Sequence, residues 1–314
     1  MKVTVVGSGM MGSGIAARAA LAGHTVLLQD ISSEKANAGR KRAAACLDEL
    51  QENGLTDGDS TAAIMRIVPE TDLKKAVDGT DLVLEAVFED IALKQQVFEE
   101  LDQLTPQNVP LLSNTSGLRI TDIAAKVRRF PERTMTAHFW LPAHLVPLVE
   151  IVLWEKTSRP MAQKVKDELS RWGKAPVLVN RDLPGQLANR ILQAIIREAT
   201  SIVDMGLASA EDVDTAIKMG MGIRFPAYGP LEHIDVIGLD LAASIQRTVL
   251  PEIASASQNV ALDDKVANGE LGAKSGKGYY DWGTKSLEKT LANRNAFIIS
   301  ALKLLSEQEK ENET

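Results

Sequence analysis

A single cysteine among 314 residues rules out an intrachain disulfide and points to a reducing, cytoplasmic setting. That residue, Cys46, sits among alanines in a helical pattern with no polarising neighbour, so it reads as packing rather than as a nucleophile. No apolar run reaches the roughly eighteen residues a membrane-spanning helix needs, so no such helix is expected. Positive charge is in deficit: 35 Lys and Arg stand against 42 Asp and Glu, a net charge of −7. The balance argues against a nucleic-acid surface and fits a soluble protein that meets small molecules. There is no internal repeat and no low-complexity linker. The chain enters a strand pattern at Lys2, which leaves no expectation of a signal or transit peptide. The polar tail from Ser306 to Thr314 is expected to be a solvated helix end.

What is present begins at once. Lys2-Val3-Thr4-Val5-Val6 is a short apolar run that predicts a buried strand. It leads into Gly7-Ser8-Gly9-Met10-Met11-Gly12, a Gly-x-Gly-x-x-Gly turn, followed by a small-residue helix pattern and a second strand at Thr25–Gln29 that ends on Asp30. Between strand and helix this turn reads as a dinucleotide site. Gly7 permits the tight turn, Gly9 lets a pyrophosphate approach the backbone, and Gly12 lets the helix lie close on the strand. The N–H groups of Met10, Met11 and Gly12 at the helix start attract phosphate. Asp30 can accept hydrogen bonds from the adenosine ribose hydroxyls and would repel a 2′-phosphate, which favours NAD over NADP.

Strand and helix patterns alternate through the first half. A long helix is expected from Ser33 to about Asn53, and a short helical piece near Asp57-Gly58-Asp59-Ser60. Strands are expected at Arg66–Val68, Asp81–Val87, Pro110–Ser113, Met135–His138, Leu148–Val152 and Ala175–Val179, with intervening helices at Ala92–Leu104 and Arg159–Gly173. From about Gly185 the patterns at Leu187–Met205, Ala210–Met219, Gly238–Val249 and Thr290–Leu305 are all helical. The expected architecture is a Rossmann-type, doubly wound, mostly parallel α/β sheet over residues 1–183, followed by an all-α C-terminal domain over 184–314.

A nicotinamide cofactor moves hydride, so an alcohol substrate needs a separate base for its proton. Of four histidines, His24 lies in a turn and reads as structural, and His233 has no assignable partner. His138 and Glu150 lie on consecutive strands that neighbour pairing can bring together. Glu150, flanked by Leu148, Val149, Ile151 and Val152, is expected to be buried and therefore to need a partner. A carboxylate bonded to one imidazole nitrogen fixes the tautomer and leaves the other nitrogen as a base. A structural pair and a catalytic dyad both satisfy this pattern, and nearness to the cofactor cleft decides between them.

With these residues in place, the chain resembles the 3-hydroxyacyl-CoA dehydrogenase family from Lys2 to about Tyr280. The shared motifs are Gly7–Ala16, Leu84-Glu85-Ala86-Val87-Phe88-Glu89-Asp90 with Lys94, Ser113-Asn114-Thr115-Ser116, His138 through Glu150, Pro184-Gly185 with Asn189-Arg190, and Lys274-Ser275-Gly276-Lys277-Gly278-Tyr279-Tyr280. The resemblance implies that His138 is the general base, that Glu150 orients it, that Ser116 bonds the reacting oxygen and that Asn189 helps hold substrate. It implies that Glu89, Lys94, Asn114 and Lys274 belong to the cofactor site, and that the protein dimerises through its helical domain. No metal is implied.

Three departures bear on the substrate. His138-Phe139-Trp140-Leu141-Pro142 has leucine where the family usually has asparagine. Ala45-Cys46-Leu47-Asp48-Glu49 is acidic where acyl-CoA members tend to carry lysines, which would repel the CoA 3′-phosphate. Gly220–Pro230 is longer than the family's loop and holds Arg224, whose guanidinium can grip a carboxylate through two parallel hydrogen bonds. The last feature and the extension past Tyr280 resemble the gulonate dehydrogenase (lambda-crystallin) and carnitine dehydrogenase branches. A small free 3-hydroxy carboxylate is therefore the favoured substrate. A 3-hydroxyacyl-CoA thioester is the alternative, and a non-catalytic NAD(H)-binding crystallin-like protein is the reading from another class. Trp140, His144 and Tyr228 are further candidates for contacts around a small substrate.

Overall fold

The computed structural model describes residues 1–56 and 58–312. Asp57 of the expected short helical piece, and Glu313 and Thr314 of the expected helix end, lie outside the described residues. Eight strands form one sheet: β1 (Lys2–Val6), β2 (Thr25–Gln29), β3 (Ile67–Glu70), β4 (Leu82–Glu85), β5 (Leu111–Ser113), β6 (Thr134–Phe139), β7 (Leu148–Val152) and β8 (Ala175–Val179). Their order is β3-β2-β1-β4-β5-β6-β7-β8. Every neighbouring pair is parallel except β6 and β7, whose antiparallel register sets His138 directly opposite Glu150. The reversal places the two residues side by side although they are 12 apart in sequence.

The helices that cover the sheet are α1 (Met10–Leu21), α2 (Ser33–Glu52), α3 (Ser60–Met65), α4 (Leu73–Val77), α5 (Ile91–Leu104), α6 (Ile120–Ile123) and α7 (Arg159–Arg171). The sequence explains where several begin. Ser32, Asp90 and Ser158 side chains accept from backbone N–H groups in the first turns of α2, α5 and α7, which satisfies donors that the helix itself leaves unpaired. On one face of the sheet, Val3, Val5, Leu28 and Leu84 pack with Ile15, Ala16 and Ala19 of α1. On the other face, Val83 and Leu111 pack with Phe98 and Leu101 of α5. A doubly covered parallel sheet needs these near-continuous apolar strands.

The remaining helices are α8 (Ala188–Asp204), α9 (Ala210–Ala216), α10 (Pro230–Ile237), α11 (Leu239–Val249), α12 (Val260–Ala267) and α13 (Leu287–Asn312), with a π-helical turn at Ile217–Gly222 after α9. By contacts the chain divides into one unit of Met1–Asn189 with Asn293–Thr314 and a second of Arg190–Ala292. Most of α13 thus falls in the first unit, not in the helical domain expected over 184–314. The reason is apolar: Ile299 packs with Leu50 of α2 and Leu145 of the β6–β7 loop. The helical unit has few buried side chains of its own. Among its described residues only Thr200, Val213 and Ala242 are buried. No helix among the described residues is long and apolar enough to cross a membrane.

Candidate active site

The glycine turn takes its shape from backbone constraints. Gly7 holds φ +97°, where a side chain is strained, and donates its N–H to Gln29 O at 2.8 Å. A Cβ on Gly12 would sit 1.9 Å from Gly7 O, whereas a Cβ on Gly9 would have no atom within 4 Å. The glycines thus differ in purpose: Gly12 gives closeness to β1, and Gly9 leaves open space. Unlike α2, α5 and α7, α1 has no side-chain cap, so its first-turn N–H groups and positive dipole end remain for an anion. Asp30 ties the turn together. Its Oδ2 accepts from Ser8 N at 2.9 Å and Ser8 Oγ at 2.6 Å, and its Oδ1 accepts from Ile31 N at 2.8 Å. Burial opposes its ionisation, but these donors outweigh that and hold its pKa below the ordinary value. An open, uncapped turn beside an ionised aspartate fits a dinucleotide without a 2′-phosphate.

A pocket of about 460 Å³ opens at the C-terminal ends of β1, β4, β5 and β6, the end where open α/β sheets bind ligands. Its wall includes Met11, Glu89, Asn114, Ser116, His138 and Asn189 from the expected site residues, together with Trp140 and Leu141. His138 Nδ1 lies 2.8 Å from Glu150 Oε2. An ionised carboxylate only accepts, so Nδ1 carries the proton and Nε2 is left with a lone pair. Glu150 is fully buried yet has four donors. Oε2 also accepts from Trp140 Nε1 at 3.0 Å, and Oε1 accepts from Leu187 N at 2.9 Å and Ala188 N at 2.7 Å, at the start of α8. Burial alone would raise its pKa, but the bonds from His138, Ala188, Trp140 and Leu187 prevail and push it down to about 2. His138 lies on the pocket wall with Glu150 behind it.

Two loops on the wall are fastened by acids. Glu89 Oε1 accepts from Thr115 Oγ1, Ser116 N and Gly117 N at 2.5, 3.0 and 3.0 Å, which fixes the turn that presents Ser116. Asn114 Oδ1 accepts from Phe139 N at 2.8 Å and so joins β5 to the end of β6. Lys94 stands behind the wall rather than on it. It is 1% exposed and paired at 2.7 Å with fully buried Glu85, which also accepts from Ser113 Oγ and Val87 N, both at 2.7 Å. The pair holds the loop after β4, because a lone buried charge of either sign is costly. Glu85 was visible as an acid in an apolar strand, and its role follows only from the α5 lysine one helix later. The carboxylate bond of Trp140 and the α8 cap on Glu150 were not legible in the sequence.

The other candidates are not among the residues that line this wall. His144 Nε2 is 2.6 Å from Glu49 Oε2, and Asn295 Nδ2 donates to Glu49 Oε1 at 3.3 Å. The acidic stretch of α2 therefore anchors the β6–β7 loop and α13. Lys174 Nζ, also buried, donates to Ala143 O and Val146 O of that loop at 2.5 and 2.9 Å. His24 pairs with Glu168 at 2.7 Å. In the helical unit, Tyr228 stacks on His233 at 5.5 Å between ring centroids. Arg224 is exposed there, with its Nε donating to Gly220 O at 3.1 Å, and Lys274 is exposed too.

Geometry of this kind defines an oxidoreductase that binds NAD on a Rossmann sheet and oxidises a CH–OH group. The sequence comparisons give it a family. The NAD-binding domain of 3-hydroxyacyl-CoA dehydrogenase matches residues 2–183 and the C-terminal domain of the same enzymes matches 185–282, so the chain belongs to the 3-hydroxyacyl-CoA dehydrogenase family. A 5-formyl-3-hydroxy-2-methylpyridine 4-carboxylate 5-dehydrogenase from Mesorhizobium japonicum is 29% identical over 308 residues, 98% of this chain and 99% of the relative. A solved structure of an enzyme of that name, described as an NAD+-dependent dismutase, superposes with a TM-score of 0.89 over 97% of this chain and 98% of the other. A probable 3-hydroxybutyryl-CoA dehydrogenase of Bacillus subtilis is 38% identical over 91% of this chain and 98% of its own length. The structure of (S)-3-hydroxybutyryl-CoA dehydrogenase from Ralstonia eutropha is 33% identical, with a TM-score of 0.74 over 90% of this chain and 98% of that one. These matches correct the expected kinship with the gulonate and carnitine dehydrogenase branches, because a relative matching end to end is a pyridine-carboxylate dehydrogenase. A longer loop and a tail are local features, and they do not assign a branch.

Proposed function

We propose that the protein oxidises a secondary 3-hydroxyl of a compact free hydroxy carboxylate to a ketone. The observation that carries this reading is His138 on the wall of a pocket of about 460 Å³, bonded to buried Glu150 behind it. The preference for a free acid is supported by the end-to-end similarity to a dehydrogenase whose named substrate is a small carboxylate. When bound, NAD supplies the hydride acceptor. His138 Nε2 takes the hydroxyl proton, and ionised Glu150 steadies the imidazolium that forms. Ser116 Oγ bonds the reacting oxygen, and Asn189 and Arg224 hold the substrate, Arg224 at its carboxylate. Gly7, Gly9, Met10, Met11 and Gly12 receive the pyrophosphate, Asp30 the adenosine ribose, and Glu89, Asn114 and Lys274 complete the cofactor contacts, with Lys94 acting from behind.

Initial rates of NADH formation across small 3-hydroxy acids and 3-hydroxybutyryl-CoA test the substrate class. Free acids turning over with the higher kcat/KM support the proposal, and activity with the thioester alone overturns it. The thioester reading keeps one specific support, the 38% identity to the Bacillus enzyme. Arg224→Ala is expected to raise KM for the free acid about tenfold, the loss of one charge-assisted contact. An unchanged KM removes Arg224 from the site.

We also propose a cytoplasmic homodimer joined through the helical unit, the substrate and dimerisation part of the 184–314 region. The unit leaves Ile191, Leu207, Met219, Leu231, Val236 and Leu239 exposed, and a groove of about 680 Å³ runs between α8 and α9. Exposed apolar side chains and a groove of this kind support that reading. Sedimentation equilibrium at twice the chain mass supports the dimer, and a monomer at micromolar concentration overturns it.

A further inference from the structure

Glu150 Oε2 serves two donors at once: His138 Nδ1 at 2.8 Å and Trp140 Nε1 at 3.0 Å. The indole and imidazole rings lie 5.5 Å apart, tilted by 50°. Trp140 therefore borders the pocket with its ring and reaches the buried acid with its N–H. Glu150 Oε1 is held by two backbone N–H groups, so the carboxylate has no freedom to turn its other oxygen to the base. A donor on Oε2 draws electron density from the very atom that stabilises a protonated imidazole.

We propose that Trp140 is a positioning residue that sets the basicity of His138 by competing for the carboxylate oxygen the two share. The proposal rests on His138 being the base and adds what tunes it. Sharing weakens the hold of Glu150 on an imidazolium. It thereby keeps more of His138 neutral and ready to accept a proton at a given pH. The titratable groups on the pocket wall are His138 itself and Glu89, whose carboxylate is engaged by Thr115, Ser116 and Gly117 with Lys94 behind it. Glu150, from β7, is the charged group in contact with the imidazole.

The test is Trp140→Phe, which keeps an aromatic ring and removes the N–H. In cofactor-free protein, the midpoint of the His138 imidazole chemical-shift titration, assigned by loss of the signal in His138→Gln, is expected to move up by about half a unit to one unit, a three- to tenfold gain in proton affinity. The acidic limb of kcat/KM for alcohol oxidation moves up by the same amount. Adding Trp140→Phe to Glu150→Gln moves the titration midpoint by less than about a third of that, since the effect passes through the carboxylate. Full replacement of tryptophan by 5-fluorotryptophan strengthens the indole donor at nearly constant volume, and is expected to move the midpoint down. The fluorinated protein keeps the question open to measurement if the phenylalanine variant does not fold. If Trp140 only props Glu150 in place, its removal loosens the carboxylate and the midpoint falls. A fall, or no shift, in Trp140→Phe overturns the proposal, as does an unmoved midpoint in the fluorinated protein.

Discussion

Glu150→Gln removes one charge and leaves the shape nearly unchanged. In the native structure both carboxylate oxygens are used, Oε2 by His138 and Trp140 and Oε1 by the N–H groups of Leu187 and Ala188. A glutamine amide has a single acceptor oxygen, so it satisfies one side and points N–H groups at the donors of the other. If the oxygen faces His138, the first turn of α8 loses its cap. If it faces α8, Nδ1 of His138 loses its acceptor and the tautomer is no longer fixed. Either way the imidazolium formed during oxidation loses its counter-charge. The expected fall in kcat/KM is on the order of 10²- to 10⁴-fold, the range for losing a general base. Stability also falls. The native pKa of about 2 against an ordinary 4.5 corresponds to about 3 kcal/mol, at roughly 1.4 kcal/mol per unit. Because the folded pKa is the lower one, this stabilisation is complete above pH 4.5 and is lost as pH falls towards 2. Urea unfolding of wild type and variant at pH 7 and pH 3.5 measures it, and the gap between the two proteins should narrow at the lower pH. A variant within about threefold of wild-type kcat/KM would refute the catalytic argument, and a gap that does not change with pH would refute the electrostatic one.

Further expectations follow from other parts of the fold. Gly9→Ala should fold with an unchanged melting temperature, because no atom lies within 4 Å of the added carbon, while NADH affinity measured by fluorescence falls about tenfold or more. Gly12→Ala should instead cost about 2–3 kcal/mol of stability, since its Cβ meets Gly7 O. Equal effects of the two substitutions on melting would contradict the division of roles. Burial, helped by Arg18, brings the Lys174 pKa down to about 6 from 10.5. The unfolded chain then binds the extra proton between those values, so this group makes stability rise with pH across that window. Lys174→Met should flatten the wild-type rise between pH 6.5 and pH 9, and parallel denaturation curves for the two proteins would show the reasoning to be wrong.

Much of this was legible in the sequence for identifiable reasons. Apolar strand runs, capping residues and the glycine turn are local signals, and they locate every strand of the sheet to within a few residues. His138 and Glu150 could be paired because each sits in a strand and antiparallel neighbours come together across the sheet. Non-local donors could not be read in this way. Trp140 reaches Glu150 because the chain after β6 turns back on itself, and Leu187 and Ala188 reach it because α8 starts beside β7. Lys94 resembled a cofactor contact in its motif, yet β4 carries a buried acid that claims it. Glu49 looked like a charge set against CoA, and in the fold it is also a tether for His144 and Asn295. The branch assignment failed because it rested on the length of one loop and one tail, whereas kinship is a property of the whole chain.

The most direct measurement compares His138→Gln with the wild type in two assays on the same preparation. One is kcat/KM for NADH formation with the best hydroxy acid, and the other is the NADH dissociation constant by fluorescence. The account predicts turnover lower by about 10²-fold or more, with NADH binding unchanged, because the glycine turn and Asp30 do not depend on the imidazole. Retained turnover in this variant would contradict the assignment of His138 as the proton acceptor.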